Sequence, residues 1–297
     1  MREFIATPLT SERFELGEGI RWDDVREELV WVDIVSSPSR MFRARAGDAG
    51  LEVLATYEFD QAVTVCAPFA DRKQGWLIGN GQYIVHLRED GSRSDVARLE
   101  ESGPVFVRTN DGAADPWGRF WVGTMGSHGE FELGSLYRYD GASVQQMRTN
   151  CSIPNGLTWS PDREFMYFTD SVLGTIFRYD VDDDGTPSNP QPFIVLPDPA
   201  AAAPDGHCVD ANGHLWVAIW GGREVREYNE AGELVGRVAV DARQVSCCTI
   251  GGPNGTTLYI TTAQEGYSDQ DRFDDPHAGK LFSCDIGVAG RPIGAVA

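Results

Sequence analysis

One spacing constrains this chain more than any other feature. A turn rich in Asp, Gly or Pro, then a short β run centred on Trp or Tyr, recurs six times. The copies are ELVWVDI (28–34), GWLIGN (75–80), RFWVGTM (119–125), EFMYFTD (164–170), HLWVAIW (214–220) and TLYITTA (257–263). Their centres, Trp31, Trp76, Trp121, Tyr167, Trp216 and Tyr259, lie 45, 45, 46, 49 and 43 residues apart. A fixed period of about 40–50 residues with several strands per unit marks a propeller blade. A second β run follows each centre: MFRAR (41–45), YIVHL (83–87), SLYRYD (135–140), TIFRYD (175–180), EVREYN (224–229) and KLFSCD (280–285). These runs alternate apolar and polar residues, as half-buried strands do. No window of a dozen residues shows helical periodicity. The pattern predicts an all-β chain, a six-bladed β-propeller with four-stranded blades. At roughly 150 residues per domain the length alone would suggest two domains. Six units of about 45 residues instead make residues 1–297 one ring. Closing it predicts that N-terminal residues near Phe4–Leu9 add a strand to the last blade.

Charge narrows the partners. The 45 acidic and 25 basic residues give a net charge of −20. Phosphate binding needs a basic surface, so nucleic acid is a poor partner. Anionic membranes are disfavoured for the same reason. Only Lys73 and Lys280 are lysines, which leaves a Schiff-base route poorly served. No apolar run approaches the roughly 20 residues of a membrane span. The N-terminus lacks the apolar stretch of a signal peptide. The expectation is a cytoplasmic monomer or small homo-oligomer. Cys66, Cys151, Cys208, Cys247, Cys248 and Cys284 show neither metal-site spacing nor a disulfide framework.

The predicted fold says where to look for chemistry. The first strand of each blade lines the channel, about 11–13 residues before each aromatic centre on this period. Those positions hold Glu18, Asn110, Asn155 and Asp205. The matching stretches of the second and sixth units are AVTVC (62–66) and SCC (246–248). Each polar candidate sits in a tight context: Gly-Glu-Gly, Thr-Asn-Asp-Gly, Pro-Asn-Gly or Pro-Asp-Gly. Glycine there lets the backbone bend and approach closely. Taken singly, Asn-Gly and Asp-Gly merely build turns. Four equivalent positions in one frame favour a shared central metal site. Oxygen donors suit a hard divalent ion such as Ca²⁺, Mg²⁺ or Mn²⁺. Zn²⁺ fits only if water completes its shell. Carboxylates facing one channel repel unless a cation sits between them.

The segments LGEGIRW, RTNDGAADPWGRFWVGTM, SIPNGLTWSPD, MYFTDS, PDGHCVDANGHLWVAIWGG and TLYITTA resemble the SMP-30/gluconolactonase/regucalcin-like family, and bacterial sugar lactonases most. The resemblance runs from about residue 14 to 290 in one order. It implies one divalent metal on the axis of a six-bladed propeller and hydrolysis of a small-molecule aldonolactone. Carried over by motif, Glu18, Asn155 and Asp205 would be the metal ligands. Arg108 and Asn110 would hold sugar hydroxyls, and Asp205 would double as the acid/base group. Some relatives place a substrate-touching Glu shortly after Gly-Thr-Met. Gly126, Ser127 and His128 stand there in this chain, which makes His128 a further substrate-binding candidate. No G-x-S-x-G elbow supports a serine intermediate. Asp182-Asp183-Asp184-Gly185 starts like a calcium loop but has Phe193 where its glutamate belongs, so it reads as a hairpin turn. His207 shares a strand face with Asp205, either orienting the site or simply packed. Asp170 would either support the ligands or stabilise a turn. Two alternatives stay open: a regucalcin-type calcium-binding regulator, and a propeller hydrolase acting on other lactones or phosphotriesters.

Overall fold

The computed structural model describes residues 1–47, 50–100 and 103–297. Each aromatic centre lies in the second strand of a four-stranded antiparallel group. Groups one to four are separate sheets over residues 17–59, 63–98, 107–151 and 154–195. Group five (203–239) and group six (244–285) belong to one nine-stranded sheet. A single residue pair, Trp220 with Gln244, joins their second and first strands. The first strand of each group packs on the first strand of the next, and Gln244–Gly251 of group six returns to Gly17–Asp23 of group one. The chain is thus all-β with a propeller-type arrangement. Among the described residues the helical elements are the α-helix Asp269–Asp274 and a 3-10 turn at Arg72–Gln74.

Burial explains the repeat. The second strand Glu28–Asp33 is buried along its whole length, whereas the fourth strand Gly50–Phe59 is mostly exposed. A strand covered on both faces reads as a continuous apolar run, as these do. Trp31, Trp76, Trp121 and Trp216 are all essentially inaccessible. Truncating such a side chain to Ala costs about 3–5 kcal/mol. Trp121 and Trp216 each follow an Asp-x-x-Gly-x-x-Trp turn. Their indole N–H groups donate to Asp115 Oδ2 at 2.8 Å and Asp210 Oδ2 at 3.0 Å.

The N-terminal segment corrects the expectation for ring closure. Thr7–Pro8 does complete group six, antiparallel to Phe282–Asp285. Arg2–Ile5 instead runs parallel to Leu234–Ala239 on the outer edge of group five. Side chains decide this split. Phe4 packs over Trp216 with ring centroids 6.5 Å apart, and Arg2 pairs with Glu227. Ala6 is buried between the two strands, and its N–H donates to the Ala239 carbonyl at 2.9 Å.

Candidate active site

Every first strand loses register against its second strand at the same depth. The breaks fall between Glu18 and Arg21, Val63 and Val65, Thr109 and Gly112, Asn155 and Leu157, Pro204 and His207, and Val245 and Cys247. A bulge unpairs a residue and re-aims its side chain. Four of these bulges hold the candidates: Asn110 with Asp111, and Asp205, lie inside theirs, whereas Glu18 and Asn155 are the last paired residues before theirs. The other two carry Thr64 and Ser246, whose hydroxyls bond Thr109 Oγ1 at 2.9 Å and the Gly17 carbonyl at 2.5 Å. The bulge glycines Gly19 (φ 57°) and Gly156 (φ 32°) hold left-handed conformations that favour glycine. A Cβ on Gly156 would also run into the His207 ring.

Buried carboxylates fix the segments leading into the bulges. Asp33 Oδ1 accepts the Leu16 N–H at 2.9 Å, two residues before Glu18. Asp170 accepts the N–H groups of Ser152 at 3.0 Å and Ile153 at 3.3 Å, just before Asn155. Asp170 is therefore a backbone anchor. At 182–185 the chain forms the expected hairpin turn, with the Gly185 N–H donating to the Asp182 carbonyl at 2.8 Å.

Five of the six sequence candidates line one cavity of about 290 Å³: Glu18, Arg108, Asn110, Asn155 and Asp205. Hydrogen bonds connect Arg108, Asn110 and Asn155 and run on through Ser171 to the strand of Asp205, across three groups of strands. Arg108 Nη1 donates to Asn110 Oδ1 at 2.9 Å. Asn110 Nδ2 donates to Asn155 Oδ1 at 3.0 Å, and Asn155 Nδ2 to Ser171 Oγ at 2.9 Å. Ser171 Oγ donates to the Pro204 carbonyl at 2.7 Å, beside Asp205. His128 stands apart. Its side chain is exposed, it does not line this cavity, and its N–H is held by the Glu130 carboxylate at 3.1 Å.

The acids are held in an unfavourable state. Burial, then the charges of Glu18 and Asp111, push the Asp205 carboxyl well above its usual range. Burial and Asp111 push Glu18 up to about 8. Asp205 Oδ1 is buried with no hydrogen-bond partner among the described residues. An ionised carboxylate left this way is costly unless a cation compensates it. The Asn155 carbonyl oxygen has two lone pairs, and the Asn110 amide uses only one of them. An all-oxygen set with an orphaned buried oxygen fits a hard divalent cation, which Glu18, Asn155 and Asp205 could hold.

Several residues of this region are not among the sequence candidates. Asp111 accepts from Gly112 N–H at 2.7 Å and Arg21 Nη2 at 3.3 Å, leaving Oδ2 unpartnered among the described residues. Its Asp-Gly bulge has the same spelling as the Asp205-Gly206 bulge, and that was the available signal. Glu265 reaches the cavity rim from the loop after the group-six second strand, and Ser171 from a turn. No periodicity points to either. His207, which the sequence offered as either orienting the site or packed, is buried outside this cavity, and burial followed by the charge of Arg21 lowers it to about 3.

A second cluster, Asp210, His214 and Glu227, brings its ligand atoms within 4.8 Å of one another. It already has its cation. Arg2 pairs with Glu227, His214 Nδ1 meets the same carboxylate at 2.7 Å, and both Asp210 oxygens accept N–H groups. The described cysteines are free, and burial pushes the Cys66 thiol up to about 12. Such thiols are packing groups, not nucleophiles.

First strands that pack on one another around an acid-and-amide mouth make a propeller-type arrangement. Residues 16–264 match the model of the SMP-30/gluconolactonase/LRE-like region, and the chain belongs to that family. It is 35% identical to the pentonolactonase XacC of Haloferax volcanii, covering 93% of both chains. It is 34% identical to the L-arabinolactonase of Azospirillum brasilense, covering 96% of this chain and 93% of the relative. Among solved structures, a calcium-binding protein, regucalcin, from Agrobacterium tumefaciens superposes with a TM-score of 0.90 at 27% identity, covering 100% and 99% of the two chains. No helix among the described residues is long and apolar enough to cross a membrane.

Proposed function

We propose that this chain is a metal-dependent hydrolase of a sugar lactone, opening an aldonolactone to its aldonic acid. In this reading residues 1–297 form one six-bladed propeller, with the metal on its axis between Glu18, Asn155 and Asp205. One observation carries the proposal: a buried, unpartnered Asp205 oxygen in the same cavity as Glu18, Asn155 and the Arg108–Asn110 pair. The lactonase relatives support the substrate class. The setting proposed is cytoplasmic, with a small-molecule partner.

Each residue has a task that follows from its chemistry. Arg108 presents a planar fork of N–H donors suited to vicinal hydroxyls. Asn110, oriented by Arg108 and Asn155, adds a polar contact for the sugar. In this reading Asp205 is the base that takes a proton from attacking water and returns it to the leaving ring oxygen. A bound divalent cation would supply positive charge to the carbonyl oxygen as it becomes anionic. Glu18 would help to hold that cation.

Likeness to regucalcin keeps a calcium-binding role as the second reading. Arg108 and Asn110 beside the acids favour a polyol substrate over a bare ion. A metal-stripped and reloaded enzyme should be assayed on glucono-, arabinono-, xylono- and galactonolactone with Ca²⁺, Mg²⁺, Mn²⁺ or Zn²⁺. Turnover of at least one lactone, lost on chelation and restored by metal, is expected. Metal binding without turnover of any of them would overturn the enzyme reading in favour of the regulator.

A further inference from the structure

The inner strands have two ends, and the far end also holds a cavity, of about 410 Å³. On each strand the residues facing it follow those facing the acidic mouth. Trp22 comes after Glu18, Ala113 and Ala114 after Asn110, Thr158 and Trp159 after Asn155, and Val209 after Asp205. At about 3.3 Å per residue the two mouths are roughly 10–13 Å apart. Arg21 forms the floor, tied to Asp111 at 3.3 Å, the Gly112 carbonyl at 3.1 Å and Cys247 Sγ at 3.2 Å.

Residues 291–295 form one wall, and hydrogen bonds fix that segment to several groups of strands. Ile293 N–H donates to Asp24 Oδ1 at 3.2 Å, Val296 N–H to the Pro68 carbonyl at 2.8 Å, and Ala297 N–H to the Gly118 carbonyl at 3.0 Å. Arg291 Nη1 donates to the Trp159 carbonyl at 3.0 Å. This wall is built, not draped.

Arg163 and Arg291 bring positive charge to this mouth. Arg26, Arg40, Arg43, Arg72 and Arg119 all pair with carboxylates. Arg163 and Arg291 line the far cavity, and among the described residues neither makes an ion pair. Their guanidinium groups are close enough to feel each other: burial and then Arg163 lower the Arg291 pKa, with only Asp162 opposing. The Asp162 carboxylate is held by the Ser160 hydroxyl at 2.5 Å and the Glu164 N–H at 3.0 Å. A second, independent observation lies deeper. His207 is 2% exposed and lines this cavity but not the acidic one, and neither ring nitrogen has a hydrogen-bond partner among the described residues. A buried imidazole without partners is an unmet donor and acceptor. Arg291 spends one N–H on the Trp159 carbonyl, and in a chain of net charge −20 neither guanidinium at this rim meets a carboxylate among the described residues.

We propose that the far mouth binds a small organic anion, an oxyanion on a partly apolar body, with Arg163 and Arg291 on its charged group and Trp22, Trp159 and Ile293 against the rest. Guanidinium forks suit a carboxylate or a phosphate ester equally. Benzoate and phenyl phosphate separate these two sources, and neither carries the hydroxyls that the acidic mouth would hold. Calorimetric titration of the full-length, Mg²⁺-loaded protein with each probe tests the idea. Saturable binding of at least one probe is expected, weakening with salt. It should drop at least 10-fold in the Arg163→Gln/Arg291→Gln double variant, while lactone turnover measured without probe stays unchanged. The stronger probe then identifies the anion class. Arg163→Gln alone, at an exposed side chain, should already weaken binding several-fold if the double variant folds poorly. The proposal fails if neither probe saturates, or if affinity survives both substitutions. It also fails if a lactone displaces the bound probe, since the anion would then occupy the acidic mouth.

Discussion

Two kinds of buried carboxylate sit a few residues apart in the same strand groups. Asp115 and Asp210 are as buried as Asp205. Asp115 accepts from the N–H groups of Trp117 and Arg119 at 2.9 Å each, from Trp121 Nε1 at 2.8 Å and from Arg119 Nε at 2.5 Å. Asp210 accepts from the N–H groups of Asn212 at 2.8 Å and His214 at 3.0 Å, and from Trp216 Nε1 at 3.0 Å. Asp205 keeps an oxygen with no partner among the described residues, and it faces two other acids. The first kind closes the turns before Trp121 and Trp216. The second kind is the one the proposed cation would balance. Burial does not separate them, whereas hydrogen-bond completeness does, because an unsatisfied buried charge is tolerated only where something else compensates it.

The sharpest way to break that comparison is to neutralise one acid of each kind. Asp205→Asn should cut lactone turnover by about 10³-fold or more. The same variant should leave the chelated protein as stable as the parent or more so, because a buried repulsion is gone. Near-parental kcat at saturating lactone would remove Asp205 from the chemistry. Asp210→Ala should do the reverse. Orphaning the Trp216 indole and two backbone N–H groups should cost about 2–4 kcal/mol in denaturant unfolding. The kcat of the folded fraction should stay within about threefold. A stable but inactive Asp210→Ala protein would place that residue with the wrong class.

A pH series sharpens the contrast next. Glu18 is raised from 4.5 to about 8, and Asp205 is also raised, in the metal-free protein. Between those pH values the folded state therefore binds protons that the unfolded chain has released. The stabilising contribution is full below the unfolded pKa and is lost as pH rises toward 8. Melting temperature of chelated protein should fall between about pH 5 and pH 8.5, and a divalent cation should flatten the fall. A chelated protein whose melting temperature ignores pH over that span would contradict the picture of repelling acids. The smallest expected effect belongs to Arg108→Lys. Losing the fork while keeping the charge should lower kcat/KM by about 10-fold, mainly through KM. Unchanged KM would take Arg108 off the substrate.

How much of this was legible in the sequence depends on range. Glu18, Asn110, Asn155 and Asp205 were legible because each lies a fixed distance before an aromatic centre, at a glycine-hinged bulge. The second β runs and the hairpin at 182–185 were legible for the same local reason. His128 was drawn in by analogy with relatives, and its loop leaves it in solvent. The split of the N-terminal segment depends on Phe4 meeting Trp216 and Arg2 meeting Glu227, partners more than 200 residues away.

By itself the sequence determined the period, the strand order and which inner positions carry oxygen donors. Alternation and turn chemistry act within a few residues, so they are written in the chain. Tertiary structure alone decided that Arg21 meets Asp111, that Glu265 reaches the cavity rim, and that residues 291–295 wall a second mouth. Those contacts exist because six first strands close on one another, and loops from distant parts of the chain meet only where that closure puts them.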